Sequence, residues 1–189
     1  MIAANSKLLT VGLTTAAYVV LFELNSLLFS NFSFSTNADW IYLPSGLRLV
    51  FVLIFGVWGA LGIALASITT NLIHYPSGGL FTLVVAGFIS GLSPLLARKI
   101  CVDKFALDKT LRNLTPKKLL ETAGIFAVLS ATIHQLWLTF RGRTDNFVDS
   151  VAATAVGDFL GTILVLYAAR YLISRLPIFK ENLKRSQLK

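Results

Sequence analysis

Five ionisable side chains and one amide stand where runs of apolar residues should exclude them. Glu23, Arg48, His74, His134, Gln135 and Asp158 each interrupt or close such a run. A charged group inside a bilayer is costly unless it is paired or lines a wet cavity. Arg48 is the only cation whose depth matches the carboxylates, so the expectation is an Arg48–Asp158 or an Arg48–Glu23 pair. Each group also has a purely structural reading. Arg48 can snorkel to headgroups, His74 can be solvated at a span end, and His134 can be a hydrogen-bonded core histidine. Taken together, their common depth on different spans predicts a polar pocket for a small molecule in the outer half of the bilayer. No catalytic pattern accompanies them: H-E-x-x-H, a glycine-rich phosphate loop ending in Lys, and G-x-S-x-G are all missing from the sequence. Two histidines 60 residues apart imply no metal site, and a single Cys101 allows neither an internal disulfide nor a cysteine metal cage. The expectation is therefore a binding protein, not an enzyme, with no catalytic residues, metal or cofactor.

The elements that must position these groups follow from hydropathy. The chain is 55% hydrophobic and 14% charged, with the apolar residues in long runs, which marks an integral membrane protein in contact with lipid. The stretch from Trp40 to Tyr75 holds one charge, Arg48, before His74. As one helix it would be roughly 50 Å long against a hydrocarbon core of about 30 Å. It must turn back, and Phe55-Gly56-Val57-Trp58-Gly59 is the place where glycines permit it. The result is an all-α bundle of six transmembrane spans at about 8–28, 44–56, 59–75, 80–97, 119–140 and 151–173. A basic loop at 98–118 and a basic tail at 174–189 join them. The net charge of +8 does not point to nucleic acid, because 14 of the 17 Lys and Arg fall on or near one side of such a bundle. By the positive-inside rule that side is cytoplasmic, with both termini there, in a bacterial inner membrane. The loop and tail, with apolar side chains among their charges, can also lie on anionic lipid or meet an acidic protein partner.

Small residues four apart let helix backbones approach closely in lipid. Gly59 and Gly62 on the third span, Gly87 and Gly91 on the fourth, and Gly157 and Gly161 on the sixth are the expected packing faces. They serve bundle packing or, alternatively, a homodimer.

Two passages carry a likeness. Trp40 to Ile73, with Leu43-Pro44-Ser45-Gly46 and the later FGVWGALG, resembles the W-P-x-x-G opening hairpin of the membrane-associated sensor domain that precedes bacterial histidine kinases and diguanylate cyclases. Gly157-Asp158-Phe159-Leu160-Gly161 resembles the G-D-x-x-G late span of that family. The chain differs in having fewer spans than the usual eight and no kinase or cyclase module after them. The resemblance implies a sensory or ligand-binding membrane domain that signals through a separate protein. In architecture the chain is also similar to substrate-binding subunits of energy-coupling-factor vitamin transporters, with Gly12 and Ala16 at the positions that would dock a partner. A third class is a structural accessory subunit of a larger membrane complex.

Overall fold

The computed structural model describes residues 2–29, 33–35, 38–104, 106–108, 111–144 and 146–175. The basic tail beyond Arg175 and residues 105, 109 and 110 of the basic loop lie outside them. Six helices make the body: α1 (Ile2–Phe29), α2 (Pro44–Phe55), α3 (Val57–His74), α4 (Leu80–Lys104), α5 (Pro116–Phe140) and α6 (Phe147–Arg175). A short antiparallel ribbon, β1 (Ser33–Ser35) with β2 (Ala38–Asp39), precedes α2. A single 3-10 turn, Pro76–Gly78, precedes α4.

Five of the helices are long and apolar enough to cross a bilayer, and the protein is a multi-pass membrane protein. The exception is α2. Its 12 residues reach about 18 Å, well short of a hydrocarbon core of about 30 Å. The expected second span is thus a half-length helix. What completes it is not helical. Residues 38–43 run as ribbon and irregular chain into the bundle and lie against the middle of α6.

Chain reversal between α2 and α3 occurs at Gly56, with φ 58° and ψ −129°, a combination that only glycine adopts without strain. After it, Gly59 seats directly on the Phe51 carbonyl, where a Cβ would overlap it. Leu43 precedes a proline at the first helical position of α2, where the missing N–H costs nothing.

The bundle has two unlike ends. At one, which we call the ribbon end, lie the ribbon, the 3-10 turn and residues 141–144. At the other, the basic end, lie Gly56 and the connection from Lys104 to Pro116. That connection does not form an amphipathic helix among its described residues. Leu107 is buried beneath the bundle, with Leu111 and Leu114 packed beside it, in a cluster built on Leu49, Leu53, Ala97 and Phe126. Asn113 holds it folded, accepting from Asp108 N at 2.7 Å and donating to Ala106 O at 2.7 Å. Leu107, Leu111 and Leu114 thus pack against the core.

Candidate functional site

Between the helices at the ribbon end is a cavity of about 420 Å³. Its floor is Arg48, placed one turn into α2. Nε donates to the Ser90 carbonyl at 3.1 Å and Nη2 to Ser130 Oγ at 2.9 Å. Nη1 lies 3.8 Å from Asp158 Oδ2, an ion pair too long for a hydrogen bond. The guanidinium also stands over the Phe126 ring, 5.2 Å from its centroid. Both charged side chains are almost wholly buried. Of the two pairs left open by the sequence, the structure makes Arg48–Asp158.

His134 joins this floor from α5. Its Nδ1 lies 3.0 Å from the Ser130 carbonyl. A carbonyl only accepts, so Nδ1 carries the proton, and a neutral ring then presents Nε2 as an acceptor to Ser90 Oγ at 3.2 Å. Ser67 Oγ from α3 donates to Ser90 Oγ at 2.9 Å. Three serines, none of them expected as site residues, therefore link α3, α4 and α5 to the one arginine on α2. Gln135, the next residue on α5, ties the wall together: Nε2 donates to Thr154 Oγ1 at 2.8 Å, and Oε1 accepts from Thr144 Oγ1 at 3.1 Å.

Glu23 and His74 are elsewhere. They pair with each other at 2.8 Å, both partly exposed, and Phe22 stacks obliquely on the His74 ring at 5.0 Å. Neither side chain lines the cavity, whereas their neighbours Phe22, Asn25, Asn71 and Tyr75 do. Of the acids the sequence offered to Arg48, Glu23 is taken by His74, and neither Glu23 nor His74 lines the cavity.

The approach to α2 forms the remaining wall, and α6 explains why it fits. Gly157 and Gly161 abut the carbonyls of Asp39 and Tyr42; a Cβ at either would overlap them. The partner of this glycine face is extended chain, not a helix. By contrast Gly62 meets α1 at Val11 and Thr14, and Gly87 and Gly91 meet α3 at Ile68, Ala64 and Ala60. Non-helical backbone at membrane depth needs partners from the protein itself. Tyr42 N donates to the Gly157 carbonyl at 3.1 Å, and Leu43 N to Asn25 Oδ1 at 2.8 Å. Ser45 Oγ lies 2.6 Å from the Tyr42 carbonyl and 2.7 Å from that of Asp158, so one hydroxyl serves both. The Tyr42 and Tyr18 hydroxyls bond each other at 2.8 Å.

Asp39 also lines the cavity. The inward course of residues 38–43 brings it here. Below the floor the bundle is closed by packed apolar residues, among them Leu49, Leu53 and Phe126. Among the described residues no group of three His, Cys, Asp or Glu side chains could hold a metal ion. The arrangement is suited to holding a polar solute of modest size by hydrogen bonds and charge. No protein-family model, curated protein or solved structure matches the chain.

Proposed function

We propose that the protein is a non-enzymatic ligand-binding domain of the bacterial inner membrane. It captures a small polar molecule from the outer side and reports occupancy to a separate partner protein. The observation that carries this reading is the cavity itself. It opens at the ribbon end, bottoms on the buried Arg48–Asp158 pair, and is closed beneath by the Leu49–Phe126 cluster. In this reading the basic end faces the cytoplasm, since Lys7, Arg98, Lys99, Lys104, Lys117 and Lys118 gather there. Residues 38–43 and α2 together make a sixth crossing, so both termini are cytoplasmic. Residues 38–43 lengthen the roughly 18 Å of α2 toward the width of the hydrocarbon core.

A second reading is a solute-capturing subunit of a transporter. Its support is the broken crossing at 38–55, because transporter sites are typically built where a helix gives way to extended chain. The exposed Gly12 and Ala16 face of α1 would then meet the translocating partner.

Topology is tested by fusions: a phosphatase reporter at residue 145 is active and one at residue 108 is silent. Binding is tested with Ala86→Cys, a cavity position, in a Cys101→Ala background. A membrane-impermeant thiol reagent added to intact cells labels it. Absence of labelling there removes the outward-open cavity and this reading with it. Accumulation of a labelled solute in cells carrying the protein would favour the transporter reading.

A further inference from the structure

We propose that the cavity is selective for organic ammonium ions, with Asp39 as the counter-charge and the aromatic rings around it as the walls of the cation site. The inference rests on the outward-open reading above and adds the class of ligand.

The charges lining the cavity do not act equally. Arg48 is committed to the Ser90 carbonyl, Ser130 and Asp158, so it offers little unsatisfied charge to a solute. Arg143, at the mouth, is held by the Ser77 carbonyl at 3.0 Å. Asp39 has neither a hydrogen bond nor an ion pair to its carboxylate among the described residues, and it is half-buried. Asp158, whose position beside Gly157 puts it next to the Asp39 backbone, has its charge matched by Arg48. Asp39 is thus the lining carboxylate with no partner among the described residues, and it calls for a cation with N–H or C–H donors. Around it stand Tyr42, Tyr75, Phe22 and Phe29. Ring faces beside a carboxylate are the usual surroundings of a bound ammonium group.

The test uses the full chain in intact cells, with Ala86→Cys in Cys101→Ala. Two thiol reagents of similar size are compared, one carrying a trimethylammonium group and one a sulfonate, each rate divided by its rate on a free thiol. The cationic reagent is expected to be faster by roughly tenfold, as one partly buried carboxylate attracts a nearby ammonium. Asp39→Asn should bring the ratio near one, and Asp39→Glu should keep it. Millimolar benzylamine should slow labelling, benzyl alcohol should not, and Tyr75→Leu should weaken the protection. A ratio near one in the parent, or a faster sulfonate, overturns the ammonium preference while leaving the cavity intact. A preference that survives Asp39→Asn overturns the role of Asp39. Failure of both reagents to react overturns the outward-open cavity, and this inference falls with it.

Discussion

Two of the pairs among the described residues, Arg48–Asp158 and Glu23–His74, have little in common. Arg48–Asp158 is buried between four helices, surrounded by serines and an aromatic ring, at a spacing of 3.8 Å. Glu23–His74 is a close contact of 2.8 Å on the rim of α1 and α3, with the carboxylate side chain about half exposed. The tighter pair is the less consequential one. An exposed pair competes with solvent and gains little. A buried pair can be loose and still matter, because removing one member strands a charge in a dry interior. Distance ranks contacts; burial ranks consequences.

Substitutions at and around the two pairs would sharpen that contrast or break it. The largest effect is expected from Arg48→Met, which leaves Asp158 uncompensated and should cost about 3–5 kcal/mol of stability. Denaturant unfolding of the purified protein in detergent would measure it. The double variant Arg48→Met with Asp158→Leu should recover most of that loss. If the single and double variants are equally stable, the pair is not the closed floor described above.

Gly161→Ala comes next. A Cβ there overlaps the Tyr42 carbonyl, and forced overpacking of this kind costs up to about 3 kcal/mol. Gly12→Ala, whose added Cβ meets nothing within 4 Å, is the matched control and should unfold like the parent. Equal loss in both would mean that α6 does not carry the extended chain on its glycine face.

Asn25→Leu should remove the acceptor for Leu43 N and leave a backbone donor unsatisfied, at about 1–3 kcal/mol. Faster hydrogen exchange at Leu43, confined to residues 40–45, would distinguish this local opening from general destabilisation. The smallest effect belongs to Glu23→Gln, expected below about 1 kcal/mol, with no change in the accessibility of a cysteine at position 86. A loss comparable to that of Arg48→Met would erase the contrast between the two pairs.

Several features were legible before any fold was known. A stretch of 36 residues with one charge before His74 dictates a reversal at Gly56, since a single helix of that length would overshoot the bilayer. A lone arginine among them requires an acid, and glycines four apart require something close. These follow from composition and from distance along the chain, which a linear sequence records directly.

What only the tertiary structure decided concerns direction around each helix axis. Glu23 and Asp158 both satisfied the demand of Arg48 for an acid at the right depth, but the rotation of α1 turned Glu23 toward His74. Gly157 and Gly161 showed the spacing of a helix-packing face, and the partner turned out to be extended backbone from Asp39 to Tyr42. That inward course carried Asp39 from an apparent loop into the cavity wall. Ser67, Ser90 and Ser130 gave no signal, because a serine in an apolar helix usually bonds its own backbone. Hydropathy and spacing specify how far along the membrane normal a residue lies. Which neighbour it faces is settled only when all the helices are packed at once, because each rotation depends on the shape of the others.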